Sequence, residues 1–226
     1  DHPEFHRTKA ILLFEGARYI ELRQFLDSEL TYFPMLARLR HLYTGGMDWR
    51  EGDFDAAKRN LEKAIELAPT LSDAYFDLAQ LYKAQGEHQN VVGTLLRLRE
   101  IRPQLSEVQL AALAEAYRET GDLSQAADIA KQVLAINAVN LFANITLARV
   151  DATNGRESNA IDRLNRLLQH DLPDHLQPQV YRNLGQIHEV NDDYESAFTS
   201  YLWANIADKR LINNLGEHLK AADDLA

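Results

Sequence analysis

Apolar residues along this chain return every three or four positions, the spacing that gathers them on one stripe of an α-helix, and nowhere alternate as a half-buried strand requires. In the stretch SDAYFDLAQLYKAQGE the stripe is Tyr75, Leu78, Ala79 and Tyr82, and in EVQLAALAEAYRETGD it is Leu110, Leu113, Ala114 and Tyr117. Each of these segments ends at a glycine, Gly86 or Gly121, and a second amphipathic stretch follows it. Ala126, Val133 and Ile136 mark one such second helix, and Phe54, Ala57, Leu61, Ala64 and Leu67 mark another, closed by Pro69. The pattern predicts an all-α chain of paired helices.

The pairs recur at a fixed period. Gly52, Gly86, Gly121 and Gly155 are 34, 35 and 34 residues apart, and Pro34, Pro69 and Pro103 keep the same interval, with Pro173 two periods later. Six helix–turn–helix units are expected, over residues 3–36, 38–71, 72–105, 107–140, 141–174 and 178–211. In the first, Tyr19, Leu22, Leu26 and Pro34 fill second-helix positions; the last is marked by Tyr181, Leu184, Gly185, Tyr194, Ala197, Tyr201 and Ala204. Small residues at Ala79, Ala114, Ala148 and Gly185 in first helices, and at Ala57, Ala126, Ala160 and Ala197 in second helices, let paired helices approach closely. A stack of such units shares its core between neighbours and needs polar ends. Residues 208–225, with Leu211, Leu215 and Leu219 on one face and Asn213, Asn214, Glu217 and Lys220 on the other, are expected to form a capping helix. With no Pro- or Ser-rich linker, one solenoid domain over residues 1–226 is expected, broken only by the loop HDLPDHLQP.

A period near 34, with an aromatic residue, Tyr, Gly, Ala and Pro at these positions, resembles the tetratricopeptide repeat family across nearly the whole chain. That resemblance implies a right-handed superhelix whose first helices line a concave groove. The segment Tyr181–Arg210 also resembles the last repeat of bacterial proteins that carry tetratricopeptide units ahead of a sulfotransferase domain, on Asp193, Tyr194, Ala197, Phe198, Tyr201, Ala204, Asn205, Lys209 and Arg210. Nothing after Arg210 looks like a sulfuryl-donor loop, so catalysis in such a protein would lie beyond residue 226.

Composition narrows the partners. With 226 residues the chain is long enough for a real buried core, and its net charge of −10 repels phosphate backbones and anionic lipid heads. A protein or peptide partner, basic in character, is expected; nucleic acid and direct membrane insertion are not. The absence of cysteine removes disulfides and thiolate chemistry and leaves cytoplasm and periplasm both open, with cytoplasm the default expectation. The first residue is Asp1 rather than Met, so the sequence reads as a processed product or a part of a longer chain.

Chemistry is sparse. No phosphate-cradling glycine motif is present, and no cofactor is expected. His170, Asp171, Asp174 and His175 share a loop, and His2 and His6 lie one turn apart near a terminus expected to fray, but neither set has the spacing of a closed metal site. Asp151–Gly155 begins like a calcium loop, yet position twelve is Asp162 rather than Glu, so it reads as a helix-to-helix turn. Asp192 with Asp193, and Asp223 with Asp224, are adjacent rather than facing and read as turn and tail residues. No catalytic or metal-ligating residue is expected.

What remains is a surface. The register places Tyr43, Trp49, Arg50, Phe76, Lys83, Arg118, Arg149, Arg182 and Asn183 in the groove as candidate peptide-binding residues, with Asp77, Gln80, Glu115, Glu119, Gln186 and Glu189 around them. Aromatic rings and planar guanidinium groups are the residue types that anchor partner segments. A register rotated by one position would instead put Tyr43, Trp49 and Phe76 in the core. Arg118, Arg149 and Arg182 would form a basic ladder or pair with Glu115, Glu119 and Glu189. The neighbouring subtypes of the family are not reproduced, neither the carboxylate clamp built of Lys and Asn on successive first helices nor the asparagine ladder. The function expected is a non-catalytic interaction scaffold; the alternatives are the substrate-positioning segment of a larger bacterial enzyme such as a sulfotransferase, and an envelope or polysaccharide assembly scaffold.

Overall fold

One turn, repeated six times, organises the chain. In the computed structural model, which describes residues 3–28, 36–170 and 172–223 with side chains within 5–210, the twelve helices among the described residues form consecutive pairs with no strand among them. In each pair an N–H two or three residues beyond the first helix's end reaches back five residues to a carbonyl. These bonds run from Arg18 to Leu13, Asp53 to Asp48, Glu87 to Tyr82, Asp122 to Tyr117, Arg156 to Asp151 and Asp193 to His188, at 2.9–3.0 Å. The residue just before each donor has positive φ, which an L side chain adopts only with strain. Gly52, Gly86, Gly121 and Gly155 meet that need without a Cβ, whereas Ala17 (φ 53°) and Asp192 (φ 59°) meet it with one.

The chain divides into two compact units, Asp1–Gln109 and Leu110–Ala226. The first holds α1 (Pro3–Glu15), α2 (Tyr19–Ser28), α3 (Ala37–Glu51), α4 (Phe54–Leu67), α5 (Ser72–Ala84) and α6 (His88–Ile101). Within it α1 packs on α2, α3 on α4, α4 on α5 and α5 on α6, around buried Leu22, Leu26, Leu61, Tyr75, Leu81 and Leu95. Phe14 of α1 seats over Gly46, where a Cβ would stand 2.9 Å from the ring, and Leu61 seats over Gly45 in the same way. His6, expected at a fraying end, is instead buried and stacks on Phe25 at 6.0 Å, because α1 docks its apolar face against α2. His2 and Pro34 lie outside the described residues.

The boundary falls within α7 (Glu107–Glu119). The second unit continues with α8 (Leu123–Ile136), α9 (Leu141–Thr153), α10 (Glu157–Gln169), α11 (Gln177–Val190) and α12 (Tyr194–Asp223), where α8 packs on α9, α9 on α10, α10 on α11 and α11 on α12. Leu141, Ile145, Ala148, Leu164, Leu167, Val180, Leu184 and Ile187 form its core. The loop HDLPDHLQP contains a single 3-10 turn at Asp174–Leu176, and Asp171 lies outside the described residues. The capping helix expected at 208–225 is not a separate element. It is the continuation of α12, because no glycine or proline interrupts the run from Tyr194 to Leu215. The side chains beyond Arg210 lie outside the description.

Several second helices start on a side chain that accepts an otherwise unpaired backbone N–H. Asp53 accepts from Ala56 at 2.9 Å, Asp122 from Gln125 at 3.1 Å and Asp193 from Ser196 at 3.1 Å, so the residue after the left-handed turn also nucleates the next helix.

Three positions vary together down the chain. In the second pair Asp48 is buried and accepts from Asn60 Nδ2 at 2.8 Å, and Asn60 Oδ1 faces His41 Nδ1 at 2.9 Å. One and two periods on, these positions hold Tyr75, Tyr82 and Thr94, then Leu110, Tyr117 and Ile129. Three periods on they are polar again. There Arg163 Nη1 donates to Asn144 Oδ1 at 3.4 Å and lies 3.9 Å from Asp151. The polar trios join first and second helices at positions where the two intervening pairs carry mostly aromatic or aliphatic residues.

Candidate interaction surface

In the first unit, the first helices α1, α3 and α5 supply a cleft of about 250 Å³ lined by Arg7, Phe14, Glu15, Tyr43, Asp73 and Asp77 among others. It adjoins a second cleft of about 390 Å³ that shares Arg7, Leu39 and Asp73 and adds Arg38, Ser72 and Arg102. Arg102 Nη1 donates to Ser72 Oγ at 2.8 Å across that second cleft. Tyr43 is buried, its ring 5.7 Å from that of Phe14 and tilted by 51°. Burial pushes its hydroxyl up to about 12, against a lowering by Arg7 and with further raising by Asp73, Glu15 and Asp77. The Asp77 carboxyl is pushed up to about 6, first by burial and then by the charge of Asp73. Among the described residues Asp77 has neither hydrogen bond nor ion pair.

The other expected residues of this unit have distinct settings. Trp49 and Phe76 are half-buried, and Lys83 is half-buried and engaged by a neighbour. Arg50 is solvent-exposed, but its guanidinium lies over the rings of Phe14 at 5.0 Å and Tyr19 at 5.6 Å, tying α3 to the first helix pair. Phe14, Arg7, Glu15 and Asp73 were not read as site residues from sequence. The first unit carries Ala17 where four of the other five carry glycine, so the glycine register that located groove positions gave no purchase on α1.

In the second unit, Arg118 ends α7 with 11% of its side chain exposed, pairs with Glu119, and holds a buried Nε that has no hydrogen-bond partner. Arg149 on α9 donates from Nη1 to Gln186 Oε1 on α11 at 2.7 Å. Burial, followed by the charge of Arg118, holds Arg149 below its ordinary value, with Glu119 acting in the opposite direction. The arginines therefore divide between the two expected arrangements: Arg118 pairs with Glu119 while remaining close enough to Arg149 to be felt electrostatically. Arg182 is exposed and pairs with Asp208 of α12, whereas Glu189 accepts from the Tyr201 hydroxyl at 2.8 Å. Asn183 does not face outward. It is buried beside Leu184 and Gly185, and its Nδ2 donates to Gln179 O of its own helix at 2.8 Å.

Chemistry elsewhere is thin. Among the described residues no three His, Asp or Glu side chains gather as a metal site, and no helix is long and apolar enough to cross a membrane. Asp151–Gly155 closes α9 as a left-handed turn at Gly155, and Asp174 accepts from Gln177 Nε2 at 3.0 Å.

Helix pairs of 34 to 37 residues closed by one repeated turn define an all-α helical-repeat protein of the tetratricopeptide type. Residues 48–116 match one tetratricopeptide repeat family and residues 109–138 match a second, so residues 48–138 carry tetratricopeptide repeats. The chain is similar in structure to MamA, with a TM-score of 0.59 at 20% identity over 75% of this chain and 96% of that one. It is similar to YrrB, a TPR protein with an unusual peptide-binding site, with a TM-score of 0.60 at 14% identity over 87% and 97% of the two chains. It is also similar to TTC0263, a thermophilic TPR protein in Thermus thermophilus, with a TM-score of 0.61 at 20% identity over 82% and 98%. At these identities the likeness is one of fold. No curated protein matches the sequence.

Proposed function

We propose that this protein is an interaction scaffold that holds a peptide or protein partner against the outward side chains of its first helices, without chemistry of its own in this segment. The repeat family and the fold support a role in protein interaction. The observation that carries the finer reading is that Arg118, paired with Glu119, lies within electrostatic reach of Arg149, which Gln186 holds on the next first helix. Two neighbouring cations of which one is paired with a carboxylate attract a further acceptor group, and planar guanidinium groups recognise one through paired hydrogen bonds. Capture of a partner by the full chain, with cross-links that map to α7 and α9, is the expected result. Replacing Arg118→Gln and Arg149→Gln together should abolish that capture while the helical content stays near that of the parent. Undiminished capture by the double variant would overturn the assignment of this face.

A further inference from the structure

We propose that the cleft between Phe14, Tyr43, Asp73 and Asp77 receives one cationic side chain, lysine or arginine, from the partner segment. The proposal rests on the interaction reading above and adds the chemistry of the partner. At about 250 Å³ the cleft is smaller than the roughly 300–1,000 Å³ of sites that enclose a whole small molecule, which suits it to a single side chain. Its walls combine two features that attract the same kind of group. The rings of Phe14 and Tyr43 both line it, one face of Phe14 being already covered by the Arg50 guanidinium, and ring faces carry the negative lobe of the aromatic quadrupole. Asp77 stands half-buried beside them with no hydrogen bond or ion pair among the described residues, and Asp73 and Glu15 line the same space. A carboxylate shielded from water and lacking a partner gains more from an arriving cation than an exposed one does.

The groups that face Asp77 come from three helices: Arg7 and Glu15 on α1, Tyr43 on α3 and Asp73 on α5. Arg7, the cation among them, is exposed and makes no hydrogen bond or ion pair among the described residues, so the carboxylates outnumber what the chain itself supplies. The cleft adjoins the neighbouring one lined by Arg38, Ser72 and Arg102, with which it shares Arg7, Leu39 and Asp73. Aromatic faces with carboxylates behind them favour a cation over an apolar side chain of equal length, and that comparison is the test.

The full chain is titrated at low ionic strength and pH 7 with three end-blocked pentapeptides, Gly-Gly-X-Gly-Gly, in which X is lysine, arginine or norleucine, while the ring signals of Phe14 and Tyr43 are followed by NMR. The lysine and arginine peptides should shift those rings and the norleucine peptide should not. Asp77→Asn should weaken lysine-peptide binding about tenfold, and Asp73→Asn should weaken it in the same direction. Because Asp77 titrates near 6, affinity should rise between pH 5 and pH 7, with proton release on binding at the lower end. Equal response to norleucine, or unchanged affinity in a folded Asp77→Asn protein, would overturn the proposal. These probes need no natural partner, so failure here leaves the interaction reading to its own test at Arg118 and Arg149, and failure there leaves this cleft to the pentapeptides.

Discussion

The ring of Tyr201 occupies the space that a side chain at position 185 would need: a Cβ on Gly185 would stand 2.6 Å from Tyr201 Cε1. The hydroxyl of the same tyrosine donates to Glu189 one turn further along α11, so Tyr201 is held at both ends. Gly185→Ala should therefore push α12 from α11 and destabilise the protein by about 1–3 kcal/mol, the usual range for overpacking. Urea denaturation of the variant measures this, and Tyr201→Phe in the same background should not restore it, since the clash lies with the ring.

Ala17 sits at the left-handed position that glycine fills in four of the six turns. Ala17→Gly should stabilise the chain by about 0.5–1 kcal/mol, strain relief being partly offset by the greater freedom of glycine in the unfolded chain. The converse change, Gly52→Ala at φ 86°, should destabilise by about 1 kcal/mol or more. Thermal unfolding of the two variants should move in opposite directions.

Asp192 is the second non-glycine residue in that position, but its carboxylate also accepts from the Tyr194 hydroxyl at 2.7 Å. Asp192→Gly should relieve strain and lose that exposed bond together, for a net change within about 0.5 kcal/mol. Asp192→Asn, which keeps both the acceptor and a residue tolerant of the left-handed region, should likewise melt near the parent temperature.

Asp77 gives a pH dependence with a definite sign. Its carboxyl titrates near 6 in the folded protein, above the ordinary aspartate value, so the native state binds the proton more tightly than the unfolded state. The resulting stabilisation is complete below the unfolded value and is lost as pH rises through 6. Stability should fall between about pH 4 and pH 6.5 on this account, and Asp77→Asn should remove the fall and leave the protein more stable at pH 7 by on the order of 1–2 kcal/mol. Denaturant midpoints for both proteins at pH 4.5 and 7 would show it.

The trio of His41, Asn60 and Asp48 should behave as a coupled unit. Asn60→Ala leaves a buried carboxylate without its donor and should cost about 2 kcal/mol, while Asp48→Ala with Asn60→Ala should cost less than the sum of the single changes. A double-mutant cycle followed by urea denaturation measures that coupling.

The alternation of helices was legible in the sequence because glycine and the apolar stripe answer to local physics. Gly52, Gly86, Gly121 and Gly155 announce a left-handed residue directly, and Leu, Tyr and Ala at helical spacing announce which face is buried. Candidate surface residues were only partly legible. Arg118 and Arg149 are felt by each other electrostatically, while Asn183 is buried and Arg50 lies over two rings of the preceding pair. One helical position is about 100° of rotation, so a spacing argument that locates a helix firmly still leaves the outlook of a single side chain undecided.

By itself, the sequence determined that this chain is all helical, that its helices come in pairs at a period near 34, and where the glycine-marked turns fall. Each of those follows from interactions within about five residues along the chain, such as the backbone closure from Asp53 to Asp48 and the capping of α4 by Asp53. Only the tertiary structure decided that Phe14 would cover Gly46, that α1 would contribute to a cleft with Tyr43 and Asp77, and that Asp77 would have no hydrogen bond or ion pair among the described residues. Those outcomes depend on how side chains from α1, α3 and α5 meet, and burial next to a like charge is a property of that meeting rather than of any single segment.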